Sequence, residues 1–166
     1  MNELVSIVMG SDSDLEVMRE CADVLKDFGV SFEMQILSAH RTPILVSDFA
    51  AQATKKGLKV IVAGAGGAAH LAGAMAANTI LPVIGVPLVA TQLNGLDALL
   101  ATVQMPAGVP VATVAVGKPG ARNAGLLAVQ ILALSDEKLA EKLRKFKDSL
   151  VDSSREKNRK LQEKIK

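Results

Sequence analysis

Short apolar runs and longer segments of mixed polarity alternate along the chain. The short runs have the length of buried strands, while the longer segments place apolar residues at the three- and four-residue spacing of a helix face. The pattern predicts five strands, at residues 4–9, 30–37, 59–63, 82–86 and 109–116. It predicts a helix after each strand, at residues 13–28, 42–56, 68–78, 94–103 and 121–134.

The predicted strands are apolar on both faces, which is typical of a parallel sheet covered by helices on either side. Five such strand–helix units predict a flavodoxin-like fold, a three-layer α/β/α sandwich around a five-stranded parallel sheet. We expect residues 1–134 to form this α/β domain and residues 135–166 to add a C-terminal helical extension. The apolar stripe of the extension consists of Leu139, Leu143, Phe146 and Leu150. So narrow a stripe predicts packing on the body or on a neighbouring subunit.

Composition and charge exclude two classes of partner. Phenylalanine is the only aromatic residue type, with four copies, so the chain has few platforms on which nucleobases could stack. The net charge is +2, but residues 136–166 carry eleven basic and seven acidic residues, which leaves the rest of the chain slightly acidic. We therefore expect no nucleic-acid partner. No stretch reaches the roughly 18 uninterrupted apolar residues of a membrane span, so we expect no membrane partner.

A single cysteine, Cys21, cannot form a disulfide within the chain, and its place in a helical pattern predicts a buried structural thiol. No signal peptide is expected, because the charged Glu3 precedes only a short apolar run. Together these features predict a cytoplasmic protein.

The chemistry is expected at the carboxyl ends of the strands, where open parallel sheets bind their ligands. The segments leaving the first three strands read Met-Gly-Ser-Asp-Ser-Asp at residues 9–14, Ser-Ala-His-Arg-Thr-Pro at residues 38–43 and Ala-Gly-Ala-Gly-Gly-Ala-Ala-His at residues 63–70. Both histidines of the chain lie in these segments. Their shared position predicts one ligand site.

In the first segment, Ser13 followed by Glu16 predicts a capping box at the start of a helix. That box leaves Ser11 and Asp14 free for a ligand: backbone N–H groups at a helix start suit a phosphate, and a carboxylate suits sugar hydroxyls. The Ser-Asp-Ser-Asp run also permits Mg²⁺, but no phosphate-loop lysine accompanies it, so no metal is expected.

In the second segment, His40 and Arg41 stand between a strand and a helix. Imidazole exchanges protons near neutral pH, and guanidinium binds phosphate in a bidentate manner. In the third, Gly64, Gly66 and Ala69 almost match a dinucleotide fingerprint, but no acidic residue follows until Asp97. Gly66 is better interpreted as a close approach of backbone to a small ligand. His70 is either a ligand contact or a structural residue at a helix start.

These three segments, together with Val103-Gln104-Met105-Pro106, resemble the class I N5-carboxyaminoimidazole ribonucleotide mutases, the PurE family of bacterial purine synthesis. The likeness runs in register over residues 4–134. It implies an isomerase that moves a carboxyl group from the exocyclic amine of a phosphorylated aminoimidazole ribonucleotide to ring carbon C4. It implies CO₂ as an intermediate, no metal, nucleotide or organic cofactor, and a homo-octamer.

The resemblance also implies roles for individual residues. His40 matches the proton carrier of the family, which protonates the departing nitrogen and later takes the proton from C4. Ser11, Asp14 and Arg41 match ribonucleotide-binding positions, and Ser38 and His70 match other positions that line the site.

One departure and three alternatives stand beside the resemblance. The family usually has Pro-Gly-Met after His70-Leu71, where this chain has Ala72-Gly73-Ala74-Met75. The sister class, which carboxylates the aminoimidazole with free CO₂, is disfavoured by Arg41 and by the run at residues 66–70. A flavodoxin-like module that binds FMN or a nucleotide without turnover is disfavoured by the scarcity of aromatics. A nucleic-acid-binding protein that uses the basic tail is disfavoured by the charge of the rest of the chain.

Overall fold

A computed structural model describes residues 3–165 of the chain. Five parallel strands form one sheet in the order β2-β1-β3-β4-β5. They are β1 (Val5–Met9), β2 (Phe32–Ile36), β3 (Val60–Gly66), β4 (Val83–Leu88) and β5 (Ala112–Thr113). This is the strand order of the flavodoxin-like fold, so the predicted fold class is confirmed. The outer limits of the predicted domains, residues 1 and 166, lie outside the described residues.

Helices cover both faces of the sheet. They are α1 (Leu15–Phe28), α2 (Pro43–Gln52), α3 (Leu71–Ala76), α4 (Leu96–Val103), α5 (Lys118–Ala133) and α6 (Glu137–Lys164). One apolar cluster joins α1, α5 and the start of α6 to one face of the strands, and another joins α2 and α3 to the other face. Because every central strand is buried on both faces, the continuous apolar runs of the sequence are explained.

All five strands begin or end one or more residues away from the predicted bounds, and β5 and β3 differ most. The predicted strand at residues 109–116 pairs with β4 over only two residues, Ala112 and Thr113, at the edge of the sheet. The chain still follows β4, since the N–H groups of Val114 and Gly117 donate to backbone carbonyls of that strand or its end. In contrast, β3 continues three residues past the predicted end at Ala63, because β4 pairs with it as far as Gly66.

The ends of the helices shift as well, most at α2, α3 and α5. α3 spans Leu71–Ala76 rather than the predicted residues 68–78, because Gly67 and Ala69 before it have positive φ and cannot be helical. α5 begins at Lys118 rather than at the predicted Ala121, with Pro119 in its first turn, where a proline costs no hydrogen bond. α2 ends at Gln52, and the last residues of the predicted helix form a turn that closes at Gly57 with φ of +91°.

The single cysteine lies in the interface between α1 and α5. Cys21 is fully buried, and burial raises the pKa of its thiol to about 12. A thiol that stays protonated is a poor nucleophile, so the predicted structural role of Cys21 is confirmed.

The C-terminal extension packs on the body through its first three turns. Leu139 is buried, Leu143 and Phe146 are partly buried against the same cluster, and the Phe146 ring meets the edge of Phe28 at a centroid distance of 5.9 Å. Lys142 Nζ donates to the Phe28 carbonyl at 2.6 Å. Residues 147–164 of α6 are exposed. Across residues 3–165, no helix combines the length and the apolar character that crossing a membrane requires.

Candidate active site

A cavity of about 310 Å³ lies at the carboxyl ends of β1, β2 and β3, beside the end of β4. This is the size of a site for a small ligand. All seven residues that the sequence predicts for the site line this cavity: Ser11, Asp14, Ser38, His40, Arg41, Gly66 and His70. They meet because β1 lies between β2 and β3, which places the three segments side by side.

The first segment is closed by a capping box, but not the predicted one. Ser11, rather than Ser13, caps a 3-10 turn at Asp12–Asp14: its Oγ accepts from the N–H of Ser13 at 3.3 Å, and the Asp14 carboxylate accepts from the N–H of Ser11 at 3.1 Å. The predicted box of Ser13 with Glu16 is therefore wrong. The Glu16 carboxylate instead accepts from Lys118 Nζ at 2.6 Å, a partner 102 residues away that local spacing could not reveal.

The carboxylate of Asp14 is the most perturbed acid in this site. Partial burial raises its pKa above the ordinary value, and the neighbouring Asp12 acts in the same direction, while the N–H groups of Ser11 and Gly10 partly offset the rise. Oδ2 of Asp14 accepts from the Ser11 N–H of the cap, and the remaining acceptor capacity of the carboxylate is open to a ligand. A half-buried carboxylate on a backbone cap is suited to receive sugar hydroxyls.

The second segment is a tight turn between Ser38 and Thr42. Thr42 Oγ1 accepts from the Ser38 N–H at 3.1 Å and donates to the Ser38 carbonyl at 3.0 Å, and the N–H of Arg41 donates to Ser38 Oγ at 3.2 Å. This turn presents His40 and Arg41 to the cavity. The Arg41 side chain is exposed, and no carboxylate of the described chain forms an ion pair with its guanidinium. An unpaired guanidinium at a cavity can bind an anion.

The third segment begins inside β3, since Gly64 and Gly66 belong to that strand rather than to a loop. A Cβ on Gly64 would collide with the Met18 side chain, and a Cβ on Gly66 would collide with that of Ala90. Glycine at these positions thus lets α1 and the segment after β4 approach the strand. Packing accounts for both glycines, while the approach of a ligand to the Gly66 backbone stays a prediction.

The two histidines of the chain are hydrogen-bonded to each other. His40 Nε2 lies 2.7 Å from His70 Nδ1, with the ring centroids 4.8 Å apart and the ring planes inclined at 71°. His70 is the residue before α3, yet its side chain makes no capping hydrogen bond to that helix. The sequence left the role of His70 open between ligand contact and helix-start residue, and the imidazole is turned toward His40.

The backbone that leads to His70 adopts left-handed conformations at Gly67 and Ala69, with φ of +61° and +45°. For a residue other than glycine this conformation costs about 1–3 kcal/mol. Ala69 is only 3% exposed, and its N–H donates to the Gly66 carbonyl at 3.2 Å. The buried methyl and this turn offset the cost and set the direction in which the chain enters His70.

Seven further residues line the cavity: Gly10, Ser13, Ala39, Ala65, Ala69, Leu71 and Ala90. The first five belong to the segments at residues 9–14, 38–43 and 63–70, and Leu71 directly follows the third segment. Ala90 belongs to none of these segments, although it follows β4 directly. The rule that ligands bind beyond the ends of parallel strands would have found Ala90, had it been applied to the fourth strand as well as to the first three.

The segment that departs from the resembled family lies behind the cavity. Ala72 is buried beneath the sheet's second apolar cluster, and Ala74 packs partly against it. Gly73 faces Met105, whose Sδ would lie 3.0 Å from a Cβ at that position. Met105, in the segment at residues 103–106, therefore packs against α3 and is not among the residues that line the cavity.

Metal-binding groups are scarce around the cavity. Within residues 3–165, no group of three or more His, Cys, Asp or Glu side chains is arranged so that it could hold a metal ion.

Comparisons with known proteins bear on the whole chain. The sequence pattern of the family described as AIR carboxylase matches residues 4–153. An N5-carboxyaminoimidazole ribonucleotide mutase of Bacillus subtilis is 57% identical over 143 residues, covering 86% of this chain and 88% of that protein. One from Mycobacterium leprae is 54% identical over 158 residues, covering 95% and 91%. The crystal structure of Treponema denticola PurE superposes with a TM-score of 0.84 at 29% identity, covering 96% and 98%.

Proposed function

The chain belongs to the AIR carboxylase family, and from this membership we propose that it is the mutase that converts N5-carboxyaminoimidazole ribonucleotide to its 4-carboxylate isomer in purine biosynthesis. One observation of the structure carries the proposal. A single cavity holds an imidazole, an unpaired guanidinium and a half-buried carboxylate, on His40, Arg41 and Asp14. These are the groups that a phosphorylated ribonucleotide and a proton transfer require.

The reaction requires the protein to donate one proton to the substrate and to accept one proton from it. A proton from His40 moves to the exocyclic nitrogen, the carbon–nitrogen bond of the carbamate breaks, and CO₂ leaves with the amine restored. The electron-rich ring carbon C4 then forms a bond to CO₂. The proton on C4 returns to His40, so protons and charge balance over the cycle. A proton carrier of this kind contributes about 10²–10⁴ in rate.

The remaining residues hold the ribonucleotide. Arg41 binds the phosphate, for which its guanidinium is available, and the Asp14 carboxylate accepts from the ribose hydroxyls. The hydroxyls of Ser11 and Ser38 line the same cavity and bind polar atoms of the ligand. The backbone at Gly66 lies against the bound molecule.

The apolar part of the lining suits the intermediate. Ala39, Ala65, Ala69, Leu71 and Ala90 contribute methyl groups to the cavity. CO₂ is apolar and short-lived near an amine, so a wall of small apolar groups keeps it beside C4 until it is recaptured. Holding the two reactants together supplies the gain in effective concentration that a free encounter lacks.

The alternatives are not favoured. The Bacillus subtilis and Mycobacterium leprae relatives, 57% and 54% identical to this chain over the aligned residues, are named as mutases rather than as carboxylases. A flavin-binding module typically stacks its ring on Phe, Tyr or Trp side chains, and none of these is among the described residues that line the cavity.

Turnover measurements test the proposal directly. We expect the purified protein to convert N5-carboxyaminoimidazole ribonucleotide at a rate far above the spontaneous one. We expect aminoimidazole ribonucleotide with bicarbonate to be a much poorer substrate. Efficient carboxylation from free CO₂, with no use of the carbamate, would assign the chain to the sister reaction instead.

A homo-oligomer, and specifically the octamer that the family resemblance implies, is part of the same proposal. Its support is an apolar face around α4 formed by side chains that are 48–60% exposed: Leu93, Leu96, Leu100 and Val103. Faces of this kind usually mark protein–protein contacts. Light scattering should show a multiple of the 17.4 kDa chain mass, reduced in Leu96→Lys and Leu100→Lys variants. A monomeric parent protein would contradict the proposal.

The exposed second half of α6 offers another assembly element. Deleting residues 151–166 should leave the packed turns around Leu139 and Phe146 intact and lower the assembly state. If the truncated protein keeps the full subunit number, this part of α6 is not an assembly element.

The cytoplasm is the proposed location. The lone buried cysteine supports it, because the chain does not depend on an oxidising compartment for a disulfide. Cell fractionation with a purine-pathway enzyme as marker would test this.

A further inference from the structure

The hydrogen bond between His40 and His70 limits where protons can sit. A nitrogen–nitrogen hydrogen bond needs one N–H and one lone pair, so His40 Nε2 and His70 Nδ1 share a single proton between them. Neither ring has another protein partner among residues 3–165. The tautomer of one ring therefore dictates the tautomer of the other.

Two arrangements of a neutral pair are possible. If His40 Nε2 donates, its Nδ1 carries a lone pair and can accept a proton from a ligand. If His70 Nδ1 donates, a neutral His40 must carry its proton on Nδ1 and cannot accept there. This inference rests on the proposed function, in which His40 must take a proton from C4. Only the first arrangement allows that step, because only there does His40 Nδ1 carry a lone pair.

We propose that His70 is a positioning residue that holds His40 in its Nε2–H tautomer, with Nδ1 free for the substrate. Before the reaction the pair carries three protons, and the positive charge is shared across the 2.7 Å bond. Donation from His40 Nδ1 to the exocyclic nitrogen leaves two protons, on His40 Nε2 and on His70 Nε2. The proton of C4 then returns to His40 Nδ1 and restores the three-proton state.

The way the chain delivers His70 supports this role. The imidazole makes no hydrogen bond to the start of α3, where a capping group would ordinarily sit. The preceding Ala69 is buried in a left-handed conformation that costs free energy, and it sets the direction in which the chain enters His70. The His70 side chain thus does not cap α3, the backbone before it is strained, and its ring is hydrogen-bonded to His40 instead.

Nuclear magnetic resonance of the free protein tests the tautomer. The chain has only two histidines, so the ¹⁵N-imidazole spectrum is simple, and a His70 variant leaves His40 alone in it. At a pH well above the range in which imidazole ordinarily ionises, we expect His40 in the parent to be protonated on Nε2. In His70→Ala we expect a mixture of tautomers. An unchanged His40 tautomer in His70→Ala would overturn the proposal.

Kinetics of three variants separate positioning from substrate binding. The amide oxygen of asparagine is bonded to Cγ, as Nδ1 of histidine is, so His70→Asn can still accept from His40 Nε2–H. His70→Gln places its amide one atom further from the backbone, where it no longer matches the position of Nδ1. We expect His70→Ala and His70→Gln to lower kcat about 10- to 100-fold with KM within about twofold, and His70→Asn to recover most of the loss. A raised KM with unchanged kcat would overturn the proposal and make His70 a substrate ligand.

The two kinds of failure are distinguishable. The tautomer is measured without substrate, so a protein that lacks mutase activity but shows His40 as Nε2–H would refute the proposed function and leave the pairing intact. A full mutase whose His70→Ala variant keeps its kcat and its tautomer would refute the pairing alone. Melting temperatures of all three variants, expected close to the parent because His70 is exposed, show that folding is not the cause.

Discussion

Two regions of the molecule differ in how well their polar groups are paired. They are the interface between α1 and α5 and the cavity at the carboxyl end of the sheet. At the helix interface, small residues let the backbones approach, and Gly125 faces the Cys21 carbonyl and the Val24 side chain. The charged groups at its rim are paired, with Arg122 on Glu20 at 3.1 Å. At the cavity, a guanidinium is unpaired, a carboxylate is half-buried and Ala69 is strained.

The comparison shows that the interface between α1 and α5 stabilises the fold, whereas the cavity groups contribute less to its stability. Close packing and paired charges hold the helix layer together without regard to any ligand. The cavity groups are less well satisfied by one another, so each can still gain free energy from a bound molecule. Mutations in the two regions should therefore separate: cavity variants should lose activity or affinity while they stay folded, and interface variants should lose stability while the folded fraction stays active.

The largest separation is expected for His40→Asn. Asparagine keeps a polar group of similar size but removes the proton carrier, so turnover should fall by about 10² or more. Binding of the ribonucleotide should stay within about tenfold of the parent, and the melting temperature should hardly change. Turnover, calorimetry and thermal unfolding on one preparation measure all three. A stable variant with near-parental turnover would remove His40 from the mechanism.

Arg41→Ala should show the next largest effect. Losing charge-assisted hydrogen bonds to a phosphate should weaken ribonucleotide binding by roughly 1.5–3 kcal/mol. Isothermal calorimetry measures this, with Lys55→Ala as the matched control, because Lys55 is an exposed cation in the turn before β3, at the other end of the sheet. Equal affinity in both variants would exclude a phosphate role for Arg41.

Gly125→Ala probes the other side of the comparison. A Cβ at this position would lie 2.9 Å from the Cys21 carbonyl oxygen and 2.9 Å from Val24 Cβ. Overpacking of this kind should lower the free energy of unfolding by about 1–3 kcal/mol. Turnover per folded molecule should stay at the parental level. Asn123→Ala, an exposed change on the same helix, should stay within about 0.5 kcal/mol in denaturant unfolding.

Asp14→Asn should move stability and binding in opposite directions. Burial raises the folded-state pKa of Asp14 above its ordinary value of 3.8, so the folded protein keeps the proton to higher pH than the unfolded chain does. Stability is therefore lost as the pH rises through that window, and the loss persists at neutral pH. Asparagine is neutral and can still accept from the Ser11 N–H.

We expect Asp14→Asn to melt higher than the parent at about pH 7, to melt at nearly the same temperature below about pH 3, and to bind ribonucleotide more weakly. Thermal scans across pH with parallel calorimetry check this. A gain in stability that is equal at both pH values would point to a cause other than ionisation.

Metal removal should have the smallest effect, namely none. The prediction rests on the absence of a phosphate-loop lysine from the sequence and on a mechanism that needs only His40 for proton transfer. Activity after exhaustive chelation, with no nucleotide added, should equal that of the untreated protein. A large loss that Mg²⁺ or Zn²⁺ restores would contradict it.

Local pattern determined most of the architecture. The apolar runs require cover on both faces, which is why five strands alternating with helices could be placed, and the fold class inferred, without coordinates. The chemistry of the segments at residues 9–14, 38–43 and 63–70 also follows from residue type. Serine, aspartate, histidine, arginine and glycine at strand ends were enough to predict seven of the fourteen residues that line the cavity, and also where they would meet.

Tertiary structure decided whatever depends on a partner distant in sequence. Ser11 rather than Ser13 caps the turn, Glu16 pairs with Lys118, 102 residues on, and β5 pairs with β4 over only two residues. His40 follows β2 and His70 follows β3, and these two strands flank β1 in the sheet. The sheet therefore brings together two histidines that are 30 residues apart in the sequence. A single sequence shows which groups are present, but hydrogen bonds form by distance and direction, and the packed sheet sets both.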